Sequence, residues 1–236
     1  MQVIGSKKLT EQELSIRIFS DGFSFSTPNS QKRVVTRGGE SLRDALEQAF
    51  QKNGLLQPDY DEVNVYSEFP STRIPLDEFR SEEAQALYRL TFGDDSLPGM
   101  RMHYEMLPAL EIIEVFVLDA GIEDLILSHY PQATVHSFFG QLMNRMYVYE
   151  KRHRDELHRL YAYHNGQHLF LFSYEKGRLA FANSFEASDL NTQVYYLLYA
   201  WKQLGMRQRR DVCVLLDGDE DLRNELQKYI VHISCV

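Results

Sequence analysis

Three consecutive strand-like runs followed by a helix occur twice in this chain, and few folds accommodate such a duplication. The later copy runs Leu157 to His164, Gln167 to Tyr174 and Arg178 to Phe185, with a helix from Ser188. Asn165-Gly166 and Lys176-Gly177 separate its strands. Asn-Gly is a strong hairpin signal, because a type I′ turn needs φ > 0 at both central residues. The earlier copy runs Leu14 to Ser20, Phe23 to Thr27 and Arg33 to Arg37, with Asp21-Gly22 at its first turn and a helix from Ser41. The offset is about 140 residues, and self-similarity of this kind predicts two supersecondary units of one design.

Each copy continues in the same way. In the first, Leu14, Ile16 and Ile18 alternate with polar residues, the period of a half-buried strand. Ser41 is the expected helix N-cap, with Asp44 in the first turn. Leu42, Ala45, Leu46, Ala49 and Phe50 form one apolar stripe, and Gly54 is the expected stop. A fourth strand follows at Asp61 to Ser67. Asp119 then caps a helix, Ala133 to Phe138 is a strand, and a long helix presents Leu142, Met143, Met146 and Tyr149. In the second copy the helix from Ser188 carries Leu190, Val194, Leu197, Leu198, Trp201 and Leu204. The short apolar run Asp211 to Leu216 reads as a strand buried on both faces. A helix over Asp219 to Tyr229 and a strand over Ile230 to Cys235 complete the order. Each half therefore reads strand, strand, strand, helix, strand, helix, strand, a mixed α/β sheet with helices packed on it.

One section has no counterpart in the second half. Residues 69–106 read as an inserted subdomain punctuated by Pro70, Pro75 and Pro98, with a helix opening at Ser81-Glu82-Glu83 and a surface loop over Gly93 to Gly99. The domain reading is residues 1–152 as the first half with this insert, and 153–236 as the second. Residues 1–13 form a short leader, and the charge run Glu150 to Glu156 is the hinge.

The net charge of −9 argues against nucleic acid or an anionic membrane surface as the main partner, since both demand a basic footprint. The most apolar candidate for a membrane span, Ile112 to Leu127, is interrupted by Glu114, Asp119, Glu123 and Asp124. No secretory leader is visible in the first residues. Cys213 and Cys235 sit in apolar strand contexts and read as small buried hydrophobes of a reducing compartment. Together these features predict a cytoplasmic protein. His153, His158, His164 and His168 lack the cysteine support of a zinc site, so no metal site is assigned. Arg207, Arg209 and Arg210 form a basic loop after the Gly205 stop. No Ser-His-Asp or Cys-His set, P-loop or dinucleotide fingerprint stands out, and no catalytic residue is assigned.

The duplicated order resembles the actin-like ATPase fold, in which each half is a ribonuclease-H-like domain. That fold is shared by actin, sugar kinases, Hsp70 chaperones and related pilus-assembly and secretion proteins. In wording, LSIRIFSDGFSFS early and the hairpin around Asn165-Gly166 later are similar to an uncharacterised family of Bacteroidetes proteins, a domain of unknown function assigned to this fold. The resemblance implies phosphate-cradling hairpins in both halves, each with an Asp, one residue and a Gly, and a Gly-Gly adenosine step after the fourth strand of the second half. Here the first hairpin has Asp21 and Gly22 adjacent, and the second has Asn165 before Gly166. The adenosine stretch holds only Gly218, among Asp217, Asp219, Glu220 and Asp221. Carboxylates there repel an anionic nucleotide, and their ordinary role is turn chemistry and N-terminal helix charge.

The expectation is thus a duplicated pseudo-ATPase, more a non-catalytic binding or assembly module than an enzyme. Its partner would be a protein, docking on the insert or in the cleft between the halves, and it would need no cofactor. The alternative is a divergent ATP-binding protein or phosphotransferase using that cleft. Asp21, Gly22, Gly166, Asp217 and Gly218 are its candidate Mg-ATP residues.

Overall fold

The computed structural model describes residues 13–36, 39–152, 157–216 and 218–236. Residues 1–12 of the expected leader, Arg37, His153, the charge run over 153–156 and Asp217 lie outside the described residues. The chain forms two compact units, residues 13–142 and 143–236.

In the first unit β1 (Glu13–Phe19), β2 (Gly22–Thr27) and β3 (Ser30–Val35) form the meander. The helix α1 (Leu42–Lys52) leads to β4 (Glu62–Ser67). The later elements α3 (Ala120–His129) and β8 (Thr134–Ser137) complete a five-stranded sheet of order β3-β2-β1-β4-β8. The meander pairs antiparallel, while β1, β4 and β8 run parallel. The alternation in β1 has its expected consequence. Leu14, Ile16 and Ile18 are buried with Phe23, Phe25, Val63 and Val65 against Leu46 and Phe50 of α1 and Ile122 and Ile126 of α3. Ser41 caps α1 by accepting the Asp44 N–H, as expected, and Asp119 caps α3 by accepting the Ile122 N–H. The stop of α1 differs from expectation. Asn53 is its C-cap, and Gly54 opens a 3₁₀ turn over Gly54–Leu56 in which the Leu55 N–H donates to the Asn53 side chain.

Between β4 and α3 stand β5 (Ser71–Pro75), α2 (Ser81–Phe92), β6 (Met100–Leu107) and β7 (Ile112–Asp119), in a separate antiparallel sheet of order β5-β7-β6. Ala84 and Tyr88 of α2 cover Ile74, Ile113, Val115 and Val117 on one face of it. The expected loop over 93–99 is more ordered than its composition suggests. Asp94–Ser96 is a 3₁₀ turn, and Leu97 is buried in this small core.

The helix α4 (Phe138–Arg152) precedes the second meander of β9 (Arg159–His164), β10 (His168–Glu175) and β11 (Arg178–Glu186). Then come α5 (Leu190–Gln203), β12 (Val212–Leu215), α6 (Glu220–Leu226) and β13 (His232–Cys235). The sheet order is β11-β10-β9-β12-β13, which repeats the first sheet strand for strand. One face is aliphatic, with Leu160, Ala162, Leu169, Leu171, Cys213 and Leu215 packed under Leu197 and Trp201 of α5. The other is aromatic. Tyr161 stacks on Phe172 at 5.0 Å, and Tyr174 meets Tyr147 of α4 at 5.8 Å. Cys213 is buried as expected, whereas Cys235 is exposed, because β13 is the edge strand.

Candidate functional site

The two hairpins at the carboxyl ends of β1 and β9 stand where open α/β sheets bind ligands. The turn after β1 consists of Ser20 and Asp21, since Phe19 pairs with Gly22. The Asp21 carbonyl accepts from the N–H and the hydroxyl of Thr36, both at 2.9 Å, which ties the turn to the end of β3. Gly22 lies inside β2, and neither it nor Asp21 has positive φ. The turn expected on Asp21-Gly22 is therefore displaced by one residue, onto Ser20-Asp21. Gly22 is required for a different reason. A Cβ there would stand 2.2 Å from the Val34 carbonyl oxygen and 2.8 Å from the Phe19 ring.

The turn after β9 also departs from type I′. Gly166 has φ +104°, but Asn165 does not have positive φ. The Asn165 Oδ1 accepts from the backbone N–H groups of Gln167 at 3.1 Å and His168 at 2.8 Å, and the side chain builds the turn. The type I′ geometry occurs at the next hairpin, where Lys176 has φ 50° and Gly177 φ 76°. Gly218 follows β12 with φ +68°. Since β12 runs parallel to β9, it stands at the same carboxyl edge as Gly166. Next to it the Asp219 carboxylate is engaged as the cap of α6, accepting the Leu222 N–H at 3.0 Å. The structure thus places Asp21 and Gly22 at the carboxyl edge of the first sheet, and Gly166 and Gly218 at that of the second.

The other sequence candidates disperse. The His164 Nε2 lies 2.9 Å from the Ala187 carbonyl, and Gln193 packs beside it. Burial pushes the His168 imidazole below its ordinary value. His158 is exposed. Among the described residues no group of three His, Cys, Asp or Glu side chains is arranged to hold a metal. Arg207, Arg209 and Arg210 are exposed, and the buried Asp211 carboxylate fastens their loop by accepting the Arg207 N–H at 2.6 Å. A cavity of about 380 Å³ opens beside Phe50, Gln57, Asp59, His129 and Tyr130, with none of the four hairpin and loop residues in its wall.

A polar chain that sequence reasoning missed crosses the first sheet. Glu105 of β6 accepts from the Ser137 N–H at 2.9 Å and from Gln141 at 2.6 Å, and lies 2.8 Å from the His136 Nδ1. The His136 Nε2 lies 3.0 Å from the Thr134 hydroxyl, which donates to the Asn64 Oδ1 at 3.0 Å. The Asn64 amide donates in turn to Glu13 and Glu62. Burial, reinforced by Glu13, Glu105 and Glu62, pushes the neighbouring Tyr66 up to about 12. Carboxylate, imidazole and hydroxyl in that order suggest an activated nucleophile. The Asn64 amide fixes a different polarity. Its nitrogen faces two carboxylates, so its oxygen takes the Thr134 proton, which then points away from the imidazole. The alternation Thr134-x-His136 was visible in the sequence, but Glu105 reaches it only through the pairing of β6 in the inserted sheet.

Two five-stranded sheets of identical order, each with its meander hairpin at the carboxyl edge, define an actin-like ATPase fold. A crystal structure from Bacteroides thetaiotaomicron VPI-5482, a protein with this fold and unknown function, is 28% identical, with a TM-score of 0.82 over 96% of this chain and 91% of that one. The PilM-PilN type IV pilus biogenesis complex shares the fold at 12% identity, with a TM-score of 0.54 over 95% of this chain and 88% of that chain. The chain belongs to DUF3822, a family of proteins of unknown function, whose pattern matches residues 4–233. No curated protein matches the sequence. No helix among the described residues is long and apolar enough to cross a membrane.

Proposed function

We propose that this chain is a non-catalytic docking module, a pseudo-ATPase that keeps the actin-like scaffold to bind a protein partner. The observation that carries this reading is the Asn165 side chain. A phosphate-cradling hairpin offers free backbone N–H groups to the anion. In this hairpin the Gln167 and His168 amides already donate to the Asn165 Oδ1. The residues present therefore do not fit Mg-ATP. The first hairpin adds to the misfit, since Gly22 is packed under the Val34 carbonyl and is not free to admit a phosphate. Glu220 and Asp221 stand exposed in the first turn of α6, beside Gly218, where an anion would be repelled.

Partner binding is supported by the fold relative found in a PilM-PilN complex and by the inserted sheet, which has no counterpart among the described residues of the second half. The formal charge of −9 disfavours nucleic acid in that role. Cys213, buried as a small hydrophobe among the aliphatic residues of the second sheet, accords with action in the reducing cytoplasm.

Calorimetric titration with Mg-ATP tests the reading. No heat of binding is expected at millimolar nucleotide, for the natural chain or for Asp21→Ala. Micromolar affinity that Asp21→Ala abolishes would overturn it in favour of a divergent nucleotide-binding protein.

A further inference from the structure

The inserted sheet leaves one lip of its covered face bare. In register, Ile113 stands beside Met106, Val115 beside Tyr104 and Val117 beside Met102. The β7 members of these pairs are buried under α2. Their β6 partners lie at the sheet edge, where the cover gives out. Tyr104 is 45% exposed and Met106 60% exposed, and they form a period-two apolar row with the half-buried Met102. Phe79 reaches the row from the loop after β5 and packs edge-on against the Tyr104 ring at 5.3 Å. Methionine and tyrosine are the side chains that adapt to and anchor a bound segment.

The surroundings of this lip are acidic. Residues 71–119 hold ten carboxylates against four arginines and no lysine, a formal −6 of the chain's −9. Asp77 and Glu78 are exposed on the loop that carries Phe79, and Glu82 and Glu83 are exposed in the first turn of α2. A row of apolar knobs spaced two residues apart matches an extended segment, and a carboxylate rim matches cations between its apolar residues.

We propose that the β6 lip of Met102, Tyr104 and Met106, with Phe79, binds an extended segment of a partner protein that alternates large apolar residues with lysine or arginine. This rests on the docking reading above and specifies the surface and the chemistry of the partner. Opposite charge steers the encounter, and the aromatic and methionine side chains hold the bound state.

The test uses the full chain and a fluorescein-labelled twelve-residue peptide of alternating lysine and leucine, followed by fluorescence anisotropy at low and physiological salt. The expected result is saturable binding, at least tenfold weaker to Tyr104→Ser/Met106→Ser and to Asp77→Lys/Glu78→Lys. Asp59→Lys/Asp61→Lys, which makes the same charge change on exposed residues outside the insert, is expected to bind within threefold of the natural chain. A glutamate-leucine peptide of equal length is expected not to bind. Equal weakening by both charge reversals would reduce the effect to net charge and overturn the proposal, as would binding that none of the variants alters. Circular dichroism on each variant excludes loss of fold as the cause. A partner captured equally by the natural chain and by Tyr104→Ser/Met106→Ser would refute this surface while leaving the docking reading intact. Tight Mg-ATP binding would refute that reading itself.

Discussion

The two five-stranded sheets share their strand order and their buried aliphatic rows, yet they are finished by different chemistry. Ile16 and Ile18 in β1 and Leu160 and Ala162 in β9 do the same work, facing helices across one layer. The turns beside them do not correspond. The first is fastened through the Asp21 carbonyl to Thr36, and its glycine is needed for a close approach of β3. The second is built by the Asn165 side chain, and its glycine sits in open space with positive φ. The helical crossover from the fourth strand to the fifth also differs. Among the described residues it is α6 alone in the second sheet, while in the first it carries the β5-β7-β6 sheet as well. Burial of one sheet face preserves an architecture while turns and crossovers drift. Sites made of turns are then the first to change.

The inserted sheet can be destabilised without touching a residue of either repeat. Arg73 makes a forked contact with Glu114, 3.0 and 2.9 Å to its two carboxylate oxygens, and Glu114 is fully buried. Burial pushes the Glu114 carboxyl above its ordinary value, with Arg73 pulling it partly back. Arg73→Met leaves that carboxylate uncompensated and is expected to cost about 3–5 kcal/mol near neutral pH. Glu114 is the group whose folded value is raised, so the folded state holds its proton more tightly than the unfolded one. The stability of Arg73→Met is therefore expected to recover as pH falls through the raised value and to drop as pH rises through it. Urea denaturation from pH 5 to 8 measures this. A flat profile would mean that Glu114 is not the group at stake. Arg73→Met/Glu114→Leu, which removes both charges, is expected to regain most of the loss.

A smaller effect separates the two hairpin glycines. Gly22→Ala places a methyl group against the Val34 carbonyl, and overpacking of that kind costs about 3 kcal/mol. Gly166→Ala meets no atom within 4 Å and is strained only by its φ of +104°, at a cost of about 1 kcal/mol. Thermal denaturation of the two variants reads the difference directly. Equal losses would mean that Gly22, like Gly166, is a conformational glycine, and the contrast between the hairpins would collapse.

Periodicity made most of this architecture legible. Strands such as β1, with Leu14, Ile16 and Ile18, and helices such as α1, with Ser41 and its apolar stripe, bury one face, and the pattern of that face is written locally. Three kinds of feature were not legible. Gly22 and Gly166 carry the same letter, but only the neighbouring β3 main chain makes the first a packing glycine. The Glu105-His136-Thr134 chain draws on β6 and β8, which meet only after the inserted sheet has formed. The exposure of Cys235 depends on β13 being the edge strand, which composition does not encode.

The smallest predicted effect bears on turn chemistry alone. Type I′ turns favour Asn-Gly, but here Asn165-Gly166 adopts a different turn, while Lys176-Gly177 holds the type I′ geometry with Lys176 at φ 50°. A lysine in that region gives up local energy that asparagine, whose short side chain bonds its own backbone, partly recovers. Lys176→Asn is expected to stabilise the chain by about 0.5 kcal/mol. It sacrifices only the exposed contact with Glu175 at 3.7 Å, a pair of little worth. Asn165→Lys is expected to go the other way, by about 1 kcal/mol, because the Gln167 and His168 amides lose their acceptor. Melting curves of the two variants side by side read both signs. If both destabilise, Lys176 is held by something beyond its turn. If both are neutral, neither hairpin is set by its side chain, and the Asn165 bonds are too weak to keep a phosphate from those two amides.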